Sequence, residues 1–210
     1  MKEKKTVSRI AAGLNLLNAV LVFFSIRYFF IGQGAGNMTV AGSRCFRYFT
    51  NDSNILAGLA SLAVIPFLWK GRVPAWAAIL KFTGTVAVTV TLLTVLLFLG
   101  PTQGYARMYA GVCLPLHLIC PLLSILTLCL PESREPLPKS AGFFGALPVL
   151  VYGALYAVLV LITRTWEDFY GFARGGFWYV SLIAMYLLGT LLSVLMARLQ
   201  RKTAAGAARR

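Results

Sequence analysis

The feature of this chain that most limits its fold is a series of six long runs without a charged residue. The runs are Ile10–Ile26, Ser53–Trp69, Phe82–Ala106, Met108–Pro131, Ser140–Thr163 and Gly175–Ala197. A helix needs about 20 predominantly apolar residues to cross roughly 30 Å of hydrocarbon. Because the runs and their apolar flanks reach that length, the sequence predicts an all-α, polytopic membrane protein.

We predict a six-transmembrane-helix bundle in one domain, residues 10–197, between basic segments at residues 1–9 and 198–210. The predicted spans are Ile10–Ile31, Tyr48–Trp69, Trp76–Leu99, Ala110–Leu130, Ala141–Ile162 and Phe177–Ala197. Composition agrees, since 59% of the residues are hydrophobic and 12% are charged. Charged residues make up about a quarter of a soluble domain, so the composition excludes an ordinary soluble fold.

The basic residues predict an orientation. The formal net charge is +14, a value that in a soluble protein suggests nucleic acid or other anionic partners. With six spans, however, 14 of the 20 lysines and arginines fall on the side that holds both termini. Cytoplasmic loops carry the excess of basic residues, so we expect both termini in the cytoplasm, a location in the cell membrane and no nucleic-acid partner.

Polar side chains crowd the start of the predicted second helix. The segment reads Tyr48-Phe49-Thr50-Asn51-Asp52-Ser53-Asn54. Thr50, Ser53 and Asn54 share one face of a helix, at spacings of three and four. A simpler alternative is that Thr50, Asp52 or Ser53 caps the free amides of the first turn. One residue is enough to cap a helix, so the cluster also indicates a polar site within the bundle.

His117, the only histidine, lies within the predicted fourth helix between Pro115 and Pro121. Ionisable groups at membrane depth indicate functional sites. Pro121 has no N–H to give to the carbonyl four residues earlier, that of His117, so we expect a kink and a free carbonyl there. The alternatives are a histidine that only makes hydrogen bonds between helices, and a Cys113 thiol nucleophile paired with His117 at spacing four. One helix cannot complete a tetrahedral metal site, so we predict no metal and no cofactor.

The predicted orientation places both clusters in the same half of the membrane. Helices 2 and 4 both run from outside to inside, so Thr50 and His117 both lie in the outer half. A threonine hydroxyl becomes a nucleophile when a base takes its proton, and imidazole titrates in a suitable range. Asp52 is a candidate to orient the imidazole, although its spacing from Thr50 points it to another face. Asn51 and Asn54 are candidate donors to an oxyanion.

These residues resemble those of a known family. The segment Arg47-Tyr48-Phe49-Thr50-Asn51-Asp52-Ser53-Asn54, followed two spans later by His117-Leu118-Ile119-Cys120-Pro121-Leu122-Leu123, is similar to the six-helix bacterial relatives of the androgen-induced-gene and androgen-dependent TFPI-regulating proteins. The stretch Trp166-Glu167-Asp168-Phe169-Tyr170-Gly171-Phe172 also resembles the aromatic-acidic loop of these bacterial proteins.

The resemblance implies an intramembrane threonine hydrolase that cleaves fatty-acid esters. It implies Thr50, in its tyrosine-x-threonine context with Tyr48, as nucleophile and His117 as base. The supporting residues that we predict around them are Tyr48, Asn51, Asp52, Ser53 and Asn54, although the polar setting that Asn51, Ser53 and Asn54 give helix 2 departs from the animal members of the family. The expected partners are membrane lipids and a fatty-acid ester substrate. The alternative function is a membrane protein without enzymatic activity that binds or carries a lipid or small solute in the same polar cavity.

Overall fold

The computed structural model describes residues 2–31, 42–130 and 136–208. Within these ranges it contains helices and no strands, which confirms the predicted all-α class. The main helices are α1 (Lys2–Phe30), α2 (Phe49–Lys70), α3 (Ala75–Gln103), α4 (Pro115–Cys129), α5 (Ala141–Ile162) and α6 (Trp178–Ala208). Short helical turns cover Gly42–Arg47, Tyr105–Met108 and Arg174–Gly176. Residues 1, 209 and 210, which belong to the predicted terminal basic segments, lie outside the described ranges.

Within the described ranges, five helices are long and apolar enough to cross a membrane. They are α1 from Thr6, α2, α3, α5 and α6 as far as Ala205. Helices α1 and α6 both extend beyond the predicted spans, because the basic residues that flank those spans continue the helices. The prediction of several apolar helices that could span a membrane is therefore confirmed.

Helix α4 is shorter than the span predicted from Ala110. Gly111 adopts a left-handed conformation with φ of 52°, which interrupts a continuous helix, and α4 begins with Pro115 in its first turn. At 1.5 Å per residue, α4 is about 22 Å long, less than the roughly 30 Å of a hydrocarbon core. Six spans therefore stay a prediction.

Helix α3 lies at the centre of the bundle and packs against α2, α4, α5 and α6. Its threonine hydroxyls donate to backbone carbonyls of the same helix, four residues earlier. Thr85 donates to the Lys81 carbonyl at 2.8 Å and Thr89 donates to the Thr85 carbonyl at 2.7 Å. Gly84 lets α2 approach closely, because a Cβ at that position would lie 2.8 Å from Ala57 Cα. The α3 helix thus combines apolar packing with threonine hydroxyls that its own backbone satisfies.

A cluster of buried polar side chains joins four helices near the middle of the bundle. Asn18 of α1 donates from Nδ2 to Ser61 Oγ of α2 at 3.1 Å and to Ser124 Oγ of α4 at 3.2 Å. Lys81 of α3 donates to the same Ser61 hydroxyl at 3.0 Å. These contacts hold α1 to α4 in a defined arrangement.

The two ends of the bundle differ in content. At one end, Ser8 Oγ donates to the Leu68 carbonyl and the Leu137 N–H donates to Gln200 Oε1 at 3.0 Å. The first part of α1 and the last part of α6 both lie there. At the opposite end, which we call the site end, lie Arg47–Thr50, Met108–His117 and the Trp166–Phe172 loop. The candidate residues are found at the site end.

Candidate active site

Helix α2 begins at Phe49 without capping by the polar side chains of its first turn. Tyr48 precedes it in an extended conformation and makes no side-chain cap. The Phe49 N–H donates instead to Tyr170 Oη at 2.9 Å. Burial raises the pKa of Tyr170, which keeps its hydroxyl neutral. Among the described contacts, no amide of this turn donates to a side chain of Thr50, Asp52 or Ser53, so these residues do not serve as caps.

The buried side chains of Asn51 and Ser53 fasten the start of α2 to its surroundings. Asn51 Nδ2 donates to the Cys45 carbonyl at 2.7 Å, which leaves its second amide hydrogen uncommitted. Ser53 Oγ lies 3.1 Å from the Thr50 carbonyl and 2.9 Å from Thr91 Oγ1 of α3. Both residues therefore hold the first turn of α2 in position.

Asn54 connects α2 to α4 directly beside the two candidate catalytic residues. Its Nδ2 donates to the Thr50 carbonyl at 2.7 Å and to the Leu116 carbonyl at 3.0 Å. Both amide hydrogens are thus committed. Asn54 is therefore a positioning residue and not the oxyanion donor that the sequence suggested.

The Leu116 carbonyl needs this donor because α4 begins in π-helical register over Pro115–Ile119. In that register the Cys120 N–H donates to the Pro115 carbonyl. The next residue, Pro121, has no N–H to give to Leu116. The free carbonyl predicted at His117 thus occurs one residue earlier, where Asn54 satisfies it. Single π turns within helices are frequent at functional sites.

His117 is buried, with 2% of its surface exposed, and its ring orientation is defined. Nδ1 lies 2.6 Å from the Met108 carbonyl, in the short helix that precedes α4. A carbonyl only accepts hydrogen bonds, so Nδ1 carries the hydrogen and Nε2 keeps its lone pair in the neutral ring. Nε2 has no hydrogen-bond partner among the described residues. This tautomer is the one that a general base requires.

Thr50 and His117 line the same small cavity. Tyr48, Asn51 and Cys113 also contribute to its wall. The space open to the centre of a water molecule is about 10 Å³, close to the minimum that one water needs. The Thr50 hydroxyl makes no hydrogen bond to any described residue. The candidate nucleophile and the candidate base, neither with a competing partner at its reactive atom, therefore line one space the size of a single water.

Asp52 and Cys113 differ in their relation to this cavity. Asp52 is half-buried and does not contribute to the cavity wall. The Met108 carbonyl, and not a carboxylate, is the group that contacts the imidazole Nδ1. Cys113 does line the cavity, so a thiol nucleophile beside His117 stays an alternative that experiment must separate. In the described ranges no group of three or more His, Cys, Asp or Glu side chains is placed to hold a metal ion.

Thr50 also lines a second, larger cavity. Helices α2, α3, α5 and α6 and the Trp166–Phe172 loop enclose this space, which is about 70 Å³ on the same measure. None of its lining residues is charged, and most of the lining is aliphatic or aromatic. Thr50 thus belongs to the walls of both cavities, the small one that His117 lines and the large apolar one.

The aromatic-acidic loop between α5 and α6 is organised by Asp168. Its Oδ1 accepts from Tyr156 Oη at 2.8 Å and from the Phe172 N–H at 2.9 Å, and its Oδ2 accepts from the Ala173 N–H at 2.8 Å. This arrangement brings Tyr170 to the first amide of α2. The loop therefore supports the helix turn that carries Thr50.

Replacing Asn54 by alanine removes the donor to the buried Leu116 carbonyl. An unsatisfied buried carbonyl costs about 1–3 kcal/mol, so we expect a lower melting temperature in detergent. Loss of Asn54 should also misplace Thr50 relative to His117, so the Thr50 hydroxyl should react with an electrophilic probe roughly tenfold or more slowly. Asn18→Ala is the matched control, since Asn18 is equally buried and also donates twice. Equal slowing in both variants would show that Asn54 has no special role at the site.

Replacing Asp168 by alanine removes the acceptor for one hydroxyl and two amides. Hydrogen bonds to a charged group contribute about 1.5–3 kcal/mol each, so the loop should open locally. Trypsin should then cleave faster after Arg164 and Arg174, the exposed arginines on either side of the loop. The control variant Glu167→Ala, which removes the exposed neighbouring carboxylate, should be cleaved by trypsin at the wild-type rate. Identical cleavage of the two variants would contradict the organising role of Asp168.

Three contributions to this site could not be identified from the sequence. They come from the Met108 carbonyl, the Tyr170 hydroxyl and the Asp168 carboxylate. A backbone carbonyl has no signature in a sequence. The loop of Tyr170 and Asp168 was recognised as a motif, but its contact with α2 spans more than a hundred residues of chain.

Comparison of the chain with protein-family models, curated proteins and solved structures gave no match.

Proposed function

We propose that this protein is an intramembrane hydrolase of lipid esters, with Thr50 as nucleophile and His117 as base. The observation that carries the proposal is the shared cavity. In it, the Thr50 hydroxyl has no hydrogen-bond partner among the described residues. The Met108 carbonyl leaves the Nε2 lone pair of His117 available to accept a proton.

The proposed reaction is acyl transfer in two steps. Nε2 of His117 takes the Thr50 proton while Oγ1 attacks the ester carbonyl, and the imidazolium then gives this proton to the leaving alkoxide. A water molecule reverses the sequence: His117 takes its proton, the hydroxide attacks the acyl-threonine, and the fatty acid leaves as Thr50 regains a proton. The second amide hydrogen of Asn51, in the wall of the same cavity, is the candidate donor to the oxyanion.

The membrane arrangement that accompanies this proposal has six spans and both termini in the cytoplasm. In it, α4 crosses as a short, interrupted helix shielded by α1, α2 and α3, because irregular backbone at membrane depth is tolerated inside a bundle. The excess of basic residues on the side of the termini supports this orientation. The site end then faces the outside of the cell membrane, where water reaches the site.

A fatty-acid ester is the substrate class that the two cavities favour. One cavity has room for about one water beside Thr50 and His117, and the other offers an uncharged, mostly apolar space that begins at Thr50. A lipid whose ester bond lies at Thr50 would occupy both spaces. The resemblance of the Tyr48–Asn54 and His117–Leu123 segments to the threonine hydrolase family supports the same class.

The second candidate function is binding or transport of a lipid or small solute without chemistry. The large apolar cavity favours it, since ligand pockets in proteins are mostly apolar with few polar groups. Reaction with a fluorophosphonate probe, which forms a covalent bond to an activated hydroxyl, separates the two functions. The hydrolase should be labelled when folded in detergent and not after heat denaturation. A folded protein that binds fatty acid but resists the probe would favour the binding function.

A further inference from the structure

Most hydroxyl groups in the lining of the large cavity are already hydrogen-bonded to other parts of the protein. Tyr152 Oη donates to the Arg47 carbonyl at 2.5 Å, and Ser181 Oγ donates to the Phe172 carbonyl at 3.0 Å. Tyr156 Oη donates to Asp168 Oδ1 at 2.8 Å. The hydroxyls of these side chains are therefore engaged elsewhere, and the cavity meets mainly their carbon atoms.

The remaining hydroxyls of the lining behave in the same way, with one exception. Thr91 Oγ1 lies 2.9 Å from Ser53 Oγ, Thr94 Oγ1 lies 3.8 Å from Met185 Sδ, and Tyr170 Oη accepts from the Phe49 N–H. Among the described residues, Thr50 is thus the one lining residue whose hydroxyl has no partner. An uncharged cavity with a single available hydroxyl suits a hydrocarbon chain with one polar group, and it does not suit a polar solute.

The cavity is long in the direction of α5. Its α5 wall extends from Val149 to Leu161, about 18 Å at 1.5 Å per residue. The first residue of α2, Phe49, contacts this wall at Tyr152, with the two ring centroids 5.0 Å apart. Ala157 lies further along the same wall, before Leu161. Along the wall, Ala157 therefore lies between Tyr152, which the first residue of α2 contacts, and Leu161.

We propose that the large cavity holds the acyl chain of the substrate and that Ala157 determines how long a chain it accepts. The position of the ester bond at Thr50 rests on the proposed function, whereas the position of the chain rests on the cavity itself. Ala157 is half-buried in the cavity wall and contributes only a methyl group. A larger side chain there fills the space that long acyl chains need and leaves the space next to Thr50 open.

Hydrolysis of p-nitrophenyl esters of different chain length tests this proposal. In Ala157→Phe, the kcat/KM for the palmitate relative to the butyrate should fall by about tenfold or more, because the pocket excludes several methylene groups. Ala157→Leu should give a smaller decrease of the same kind. The control Ala154→Phe lies on the same helix, is exposed and is outside the cavity wall, so it should keep the wild-type ratio. An unchanged ratio in Ala157→Phe, or an equal decrease in Ala154→Phe, overturns the proposal.

A binding measurement separates this proposal from the proposed function. Thr50→Ala protein in detergent should still bind the fluorescent fatty acid cis-parinaric acid, and the double variant with Ala157→Phe should bind it at least about tenfold more weakly. If the wild type hydrolyses no ester but this difference is found, the hydrolase fails and the acyl cavity stands. If esters are hydrolysed through Thr50 but Ala157→Phe leaves binding and chain preference unchanged, the hydrolase stands and the acyl cavity fails.

Discussion

Thr50→Ala should abolish covalent labelling by a fluorophosphonate probe and lower ester hydrolysis by at least about 10³-fold. Removing the nucleophile of a hydrolase removes the covalent pathway and leaves only the weak contribution of binding and electrostatics. The change should leave the fold intact, because the Thr50 side chain makes no hydrogen bond to a described residue. Melting in detergent checks the fold, and in-gel fluorescence of the labelled protein measures the reaction.

Three variants control the Thr50 experiment. Thr50→Ser keeps a hydroxyl in the same place and should keep measurable labelling. Ser53→Ala removes the neighbouring hydroxyl, which is already bound to Thr91, and should keep it as well. Cys113→Ala removes the thiol that lines the same cavity, so labelling that disappears here and persists in Thr50→Ala would assign the nucleophile to the cysteine.

His117→Gly should lower ester hydrolysis by about 10²–10⁴-fold, the contribution typical of general acid-base catalysis. The imidazole lines the same cavity as Thr50 and has a free lone pair and a fixed tautomer. Its loss leaves the Met108 carbonyl without this donor, which should also lower stability by about 1–3 kcal/mol. Hydrolysis rates at saturating ester, together with melting curves in detergent, measure the two effects separately.

Added imidazole separates catalysis by His117 from a purely structural role. The glycine variant leaves a space where free imidazole can take the place of the lost ring, so hydrolysis should recover in proportion to the imidazole concentration. The double variant Thr50→Ala with His117→Gly should show no recovery, since it has no hydroxyl to activate. Hydrolysis that stays near the wild-type rate in His117→Gly contradicts the role of His117 as base.

Much of the architecture follows from simple patterns in the sequence. The uncharged runs and their apolar flanks predict the apolar helices, and the bounds of α2 and α5 agree with the predicted spans to within a residue. Thr50 and His117 were expected at similar depth because their helices run in the same direction from the same side. The lengths of the uncharged runs and the alternating direction of the helices thus predict that two residues far apart in the chain lie at the same end of the bundle.

The parts that could not be predicted depend on backbone conformation. The positive φ of Gly111 delays the start of α4, and the π register over Pro115–Ile119 decides which carbonyl Asn54 satisfies. Neither feature follows from apolar patterning, which describes only average helices. The contact of the Met108 carbonyl with His117 results from the same irregular backbone and defines the tautomer of the ring.

Mass spectrometry of the probe adduct tests the central claim most directly. After reaction of the folded wild-type protein with the fluorophosphonate, trypsin cleavage after Arg47 and Lys70 releases a peptide with both Thr50 and Ser53. Fragmentation of this peptide distinguishes the two hydroxyls, and the adjacent Cys113 belongs to a different peptide. We predict a phosphonate on Thr50 that is lost in His117→Gly. An adduct on Ser53 or Cys113 with Thr50 unmodified would contradict the assignment of Thr50 as the nucleophile.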